Sequence, residues 1–224
     1  MQRTADAPPG SILDDKITHD EYLNHQRARR RALARQARRV AEAMRRHGAT
    51  GPLLDLGVGT GIGMPYLCDA LDAGDAVGVD IDPTMVRFAE AETAGRPDIR
   101  VEQADARALP FDDGRFGAVY CEYVFHHVEG VDAAIAEIHR VLRPGGVFFL
   151  IDIDPANGIS RLFKRVYPYL RAIGLGWHGG EGAYQSILRA PHFDALHRML
   201  DEIGFVERER RRSKIRRELL LVKP

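Results

Sequence analysis

Three aspartates and a pair of histidines carry the chemistry that can be read in this 224-residue chain. Asp55 stands inside LLDLGVGTGIG, residues 53–63, where Gly57, Gly59, Gly61 and Gly63 occupy alternate positions behind an apolar run. Glycines so spaced let a ligand approach the backbone, and their register says which ligand. A dinucleotide fingerprint G-x-G-x-x-G begun at Gly57 needs glycine where Ile62 stands, and begun at Gly59 needs it at Met64. A phosphate-cradling loop needs Gly-Lys-Ser/Thr, and no lysine follows Gly61 or Gly63. The loop therefore lacks what pyrophosphate or triphosphate requires. Asp80 closes the next apolar segment, 25 positions after Asp55. A carboxylate at that point can accept both hydrogen bonds of a ribose diol. Asp55, by contrast, would repel a phosphate and attract an amine. The pair predicts a nucleoside with a cationic tail.

The elements that must position these residues follow from apolar periodicity. One long helix is predicted over 20–47, stopped by Gly48 and the turn at Gly51-Pro52. Strands are predicted at 52–56, 76–80, 99–103, 116–123 and 147–153, and helices at 61–71, 83–94 and 131–142. Such alternation is the pattern of βαβ units on a parallel sheet, with the ligand at the carboxyl ends of the strands. Residues 155–190 break it into amphipathic pieces, 159–173 and 183–187, around GLGWHGGEG, and read as a cap. Helix 191–203 and strands 205–210 and 218–222, joined through Ser213, close the chain. The expected fold is α/β, a doubly wound, seven-stranded, mostly parallel sheet with an N-terminal helix and a helical cap. Its organisation is read as a tail and helix covering the site (1–50), a core (51–154 and 191–224) and a cap insertion (155–190).

Charge is balanced, with Lys+Arg 32 and Asp+Glu 32. Cys68 and Cys121 show no CxxC or Cys/His spacing, which predicts neither a disulfide nor a metal site and suits a reducing cytoplasm. The opening residues lack an apolar core, and no apolar run is long enough to span a bilayer, so a soluble, cytoplasmic protein is expected. Arginines crowd 27–46 and 208–217, which raises nucleic acid as a partner. Leu33, Ala37, Val40, Ala41 and Met44 recur at helical spacing, however, leaving those arginines on a wet face without an aromatic stacking set.

Several ordered motifs, LLDLGVGTG, GVDIDPTMVRFAE, QADARALPFDDGRFGAVYC, FHHV and IHRVLRPGGVFFLID, resemble the class I S-adenosylmethionine-dependent methyltransferases. The resemblance covers about Leu53 to Ile153 and is strongest to the small-molecule branch similar to ubiquinone/menaquinone C-methyltransferases. It implies a Rossmann-like fold and S-adenosylmethionine as cofactor. Asp55, Gly57 and Gly59 then line the methionine moiety, and Gly61 lets the helix start approach. Asp80 binds the ribose, Ile81 packs on the adenine, Asp105 accepts from the adenine amino group and the backbone N–H of Ala106 faces a ring nitrogen. Asp82 caps the following helix. Glu122 adds a further acidic group beside the cofactor.

A sulfonium methyl is already electrophilic, so the remaining work is alignment, exclusion of water and deprotonation. Candidate bases are His126 and His127 after the fourth strand, and Tyr22 with His25 in the N-terminal helix. For the histidine pair a purely structural role stands beside the catalytic one, since adjacent residues of a regular element cannot both point into a site. Tyr123, Asp152, Trp177, His178 and Tyr184 are expected around a small-molecule substrate, with Trp177 and Tyr184 equally readable as cap core. The chain is expected to act as a monomer or homodimer. Three other readings remain: nucleic-acid or protein methylation; use of the sulfonium's aminocarboxypropyl arm with release of methylthioadenosine; and a cofactor-binding scaffold without turnover. CEYVFHHV lacks the Asn/Asp-Pro-Pro-aromatic turn of base-amino enzymes, and Cys121 follows Tyr120 inside a strand rather than a proline.

Overall fold

A computed structural model describes residues 19–172, 180–213 and 215–224. Two helices, α1 (His19–Ala28) and α2 (Arg30–Arg46), lead into β1 (Leu53–Leu56), α3 (Met64–Leu71), β2 (Ala76–Asp80), α4 (Pro83–Thr93) and β3 (Ile99–Gln103). Then come β4 (Phe116–Glu122), a 3-10 turn (Phe125–His127), α5 (Val131–Val141) and β5 (Leu142–Ile153). Helices α6 (Gly158–Ala172), α7 (Gly180–Arg189) and α8 (Phe193–Glu202) precede the closing hairpin β6 (Val206–Arg212) and β7 (Arg216–Val222). The strands lie in the order β3-β2-β1-β4-β5-β7-β6, parallel from β3 to β5, with β7 antiparallel to both β5 and β6.

The sheet is a middle layer because its central parallel strands β1, β2, β4 and β5 are largely apolar and buried on both faces. Leu54 and Leu56 of β1, Val119 and Cys121 of β4 and Phe148 and Leu150 of β5 pack with Ile135 and Ile138 of α5 and Leu196 and Leu200 of α8. Leu53, Ala118, Tyr120, Phe149 and Ile151 point the other way, onto Val40 and Met44 of α2 and Leu67 and Leu71 of α3. Asp55 belongs to this second face, one position along from Leu54 and Leu56, and so lies under the N-terminal helices.

Three departures from expectation have local causes. The helix expected over 20–47 is interrupted at Arg29, whose φ −95° and ψ 5° admit only a three-residue-type bond to Gln26 O. The bend lets Arg27 and Arg30 both reach Glu92 of α4. Helix α3 starts at Met64 rather than Gly61 because Gly57, Gly59 and Gly61 have φ of +74°, +55° and +73°, outside the right-handed helical region. The short turn at Phe125–His127 is a helix too brief to have a hydrophobic period.

Candidate functional site

The carboxyl ends of β1, β2 and β4 meet at the glycine loop. Gly57 N–H and Val58 N–H both donate to Val79 O, at 2.8 and 2.9 Å, which folds the loop over the end of β2. Gly61 is packed against α4, where an added Cβ would stand 2.7 Å from Ala89 Cα. At Gly57 a Cβ would stand 2.2 Å from Val124 Cγ2. At Gly59 it would meet nothing within 4 Å, so that glycine borders open space. Asp80 holds this geometry from beneath: Oδ2 accepts from Gly59 N–H at 2.9 Å and Oδ1 from Asp82 N–H at 3.0 Å. Each oxygen keeps one further acceptor direction. Burial raises the Asp80 pKa, against the backbone amides of Asp82, Gly59 and Ile81 that favour its charge.

Asp55 is buried and accepts no hydrogen bond from any described residue. Burial first, then the charges of Glu122 and Asp80, push its carboxyl up to about 8. Such a site is short of a cation. Glu122 is held in place by two groups that the sequence reading did not single out: Gln36 Nε2 donates to Oε1 at 2.7 Å and Tyr120 O–H to Oε2 at 2.7 Å. A signal for both existed. Tyr120 precedes Glu122 by two on one face of a strand, and Gln36 is the uncharged polar residue beside the apolar stripe of α2.

The adenine end is less prepared. Asp105 is bound by its neighbour: Arg107 Nε and Nη2 donate to its carboxylate at 3.0 and 2.6 Å, and Arg107 N–H to Oδ1 at 2.9 Å. These contacts lower its pKa. Ile81 and Ala106 are half-buried beside it, with Gln103 Nε2 donating to Ile81 O at 3.0 Å. Asp82 caps α4 by accepting from Thr84 N–H at 2.8 Å.

At the end of β4, Tyr123 has φ +58°, a conformation costly for a bulky side chain and characteristic of a functional turn. The next residues turn back so that His126 Nδ1 lies 2.7 Å from Asp152 Oδ1. Asp152 was expected to touch substrate, but it is fully enclosed. Its oxygens also accept from Phe125 N–H at 2.9 Å and Ile153 N–H at 2.7 Å, so it faces His126 and the backbone. The rings of His126 and His127 lie close in this 3-10 turn, centroids 4.0 Å apart and tilted by 45°. They differ in chemistry. Burial, then His126 and Arg189, push the His127 imidazole down to about 3, leaving it a poor base near neutrality. The Tyr123 ring stands 6.3 Å from His126.

The remaining expectations fall elsewhere. Tyr184 packs with Tyr167 and Phe163 between α6 and α7, at centroid distances of 5.3 and 6.4 Å, and lines a cavity of about 360 Å³ with Tyr167, Pro168 and Ala172. His25 is exposed on α1, and Tyr22 lies on that helix. Trp177 and His178 lie outside the described residues. Cys121 is fully buried and its thiol pushed far up, first by burial and then by Asp152, Asp55 and Glu122, which removes it as a nucleophile. Many arginines of the two basic runs are already paired: Arg39 with Glu218, Arg46 with Glu209, Arg210 with Glu207, and Arg212 and Arg217 with Asp154. Among the described residues no helix is long and apolar enough to cross a membrane, and no group of three or more His, Cys, Asp or Glu suits a metal ion.

S-adenosylmethionine fits the residues present on its methionine and ribose sides. The Asp55 carboxyl, unpaired among the described residues and beside Glu122, matches an ammonium, the free acceptor directions of Asp80 match a diol, and Gly59 leaves room. Residues 54–150 match the family described as "Methyltransferase domain". A demethylmenaquinone methyltransferase of Thermus thermophilus is 34% identical over 164 residues, covering 68% of this chain and 73% of that protein. Its counterpart in Deinococcus radiodurans is 33% identical over 196 residues, covering 84% and 78%. A putative S-adenosyl-L-methionine-dependent methyltransferase from Methanococcus maripaludis has the same fold, with a TM-score of 0.63 at 20% identity over 94% of this chain and 95% of that one. The chain belongs to the class I methyltransferases, enzymes that use S-adenosylmethionine to methylate, here, a small molecule.

Proposed function

We propose that this enzyme methylates a ring carbon of a reduced, hydroxylated quinone-type acceptor, with His126 as the proton acceptor. The buried His126–Asp152 pair carries the reading. The named substrate of the two bacterial relatives, a demethylmenaquinone, supplies the chemical class of the acceptor. Asp55 and Glu122 are assigned to the methionine ammonium, Gly57, Gly59 and Gly61 to the surrounding loop, Asp80 to the ribose, and Ile81, Asp105 and Ala106 to the adenine. When bound, the cofactor supplies an electrophilic methyl whose bond to sulfur breaks with its electron pair going to sulfur.

The chain's own part is proton handling and positioning. Asp152 accepts a hydrogen bond from Nδ1–H of His126, which fixes the tautomer and leaves the Nε2 lone pair available. Nε2 takes the proton of a ring hydroxyl, and the freed electron pair makes the ring carbon a stronger nucleophile. The hydrogen on that carbon is afterwards lost as a proton while His126 returns its proton to the ring oxygen, so each turnover releases one proton to solvent and leaves His126 free. Tyr123 is assigned to the acceptor, beside His126. The relatives are named as methyltransferases, and nothing among them favours transfer of the aminocarboxypropyl arm.

The test uses a reduced 1,4-naphthoquinol as acceptor. His126→Gln is expected to lower kcat by about 100-fold or more, within the usual range for a general base, with cofactor affinity unchanged. His127→Gln is expected to change kcat by less than about fivefold, because a base held so far below neutrality contributes little. Equal losses in the two variants, or full activity in His126→Gln, would remove His126 from the reaction.

A further inference from the structure

Helix α6 has two faces of different fate. It opens at an Asn157 cap, where Ser160 N–H donates to Asn157 Oδ1 at 2.8 Å, and its inner face carries the buried Ser160 and Tyr167. Tyr167 stacks there with Phe163 and Tyr184. The outer face is apolar and open: Ile159 is 49% exposed, Leu162 62%, Val166 38% and Tyr169 73%. Their spacing of three, four and three residues makes one continuous stripe along the helix. Exposed Arg161 and Arg165 flank the stripe on one side. The sequence of α6, GISRLFKRVYPYLRA, holds four basic residues and no acidic one.

We infer that α6 lies in the plane of an anionic membrane surface, its apolar stripe set into the headgroup boundary and its arginines on the lipid phosphates. An apolar stripe alone would suit a protein partner equally. The adjoining positive charge, unpaired among the described residues, is what selects an anionic bilayer, since apolar insertion and lipid phosphate attraction are satisfied together by this one face. The helix is too short and too charged to span, so it lies on the surface. Helix α7 packs between α6 and the Phe125–His127 turn, so a docked α6 lies one helix away from the acceptor side. The inference stands apart from the acceptor's identity, because vesicle binding is read without turnover.

The experiment is cosedimentation of the full chain with vesicles of phosphatidylglycerol mixed with phosphatidylcholine, and with phosphatidylcholine alone. The anionic vesicles are expected to bind at least about tenfold more protein, and about 0.5 M NaCl to weaken that binding severalfold. Leu162→Glu with Val166→Glu is expected to lower partitioning at least about tenfold, since it places charge in the inserted stripe. Both side chains are exposed, so the melting temperature and cofactor affinity of that variant should match those of the parent. Arg161→Glu with Arg165→Glu is expected to abolish the preference for anionic lipid. No sedimentation with anionic vesicles, or equal binding to both kinds, overturns the inference. So does unchanged vesicle binding in the Leu162/Val166 variant, including the case where that variant instead turns a dimer into a monomer, which would make the stripe a contact between two copies.

Discussion

Replacing Asp55 by asparagine should make the unliganded protein more stable and a poorer binder of its cofactor. The carboxyl is raised from 3.8 to about 8, chiefly by burial and next by Glu122 and Asp80. Below about pH 4 the group is protonated in both the folded and unfolded states, and its burial then carries no ionisation cost. As pH rises toward 8 the unfolded chain ionises while the folded one still holds the proton. Folding stability is therefore lost progressively over that window, the reverse of a salt-bridged aspartate. At about pH 7 the loss is on the order of 2–4 kcal/mol after allowing for relaxation around the site. Asparagine is close in shape to the protonated acid and does not ionise. Asp55→Asn should accordingly raise the melting temperature by roughly 5–15 °C near pH 7 for a chain of this size, and by almost nothing near pH 4. The same substitution removes the partner assigned to the methionine ammonium, weakening S-adenosylmethionine about 10- to 100-fold, or about 1.4–2.8 kcal/mol. Melting curves across pH and isothermal titration of the cofactor check both halves. Calorimetry of the parent adds a third reading, since a cation placed beside Asp55 should expel most of one proton on binding near pH 7. A pH-independent stability difference together with unchanged affinity would refute the reasoning.

Two further substitutions probe the surrounding loop and the adenine side. Gly61→Ala should destabilise the fold by about 2–4 kcal/mol in urea unfolding, because the residue has φ +73° and the new methyl would stand 2.7 Å from Ala89 Cα; a change below 1 kcal/mol, roughly, would mean that α4 simply moves aside. Asp105→Ala should weaken the cofactor about 3- to 30-fold, whereas Arg107→Ala, which breaks an exposed ion pair, should leave both stability and affinity within about threefold. If Asp105→Ala has no effect, the carboxylate serves Arg107 and not the adenine.

The sheet was legible because its signals are local and periodic. Strands 76–80 and 99–103 match their observed bounds, and the hairpin through Ser213 closes the sheet at β7 and β6 as expected. Asp55 and Asp80 were legible as strand-end carboxylates, since the glycines between them fix where the strand stops. What escaped is tertiary. Arg29 has good helix propensity, and only the docking of Arg27 and Arg30 on Glu92 gives the bend a reason. Asp152 and His126 could each be placed at the end of a neighbouring strand, but the direction of their side chains depends on the Tyr123 turn, whose positive φ no tyrosine announces. Trp177 and His178, on which the sequence reading leaned for the substrate, lie outside the described residues, so the acceptor side rests on Tyr123 and His126.

The central claim is methyl transfer to a ring carbon of a hydroxylated small molecule, and one measurement meets it directly. The enzyme is incubated with S-adenosylmethionine labelled with carbon-13 in its methyl group and a reduced naphthoquinol, and the products are read by mass spectrometry and NMR. The account predicts S-adenosylhomocysteine and a label bonded to a ring carbon, in equal amounts. Label on the ring oxygen, or methylthioadenosine in place of S-adenosylhomocysteine, would contradict it.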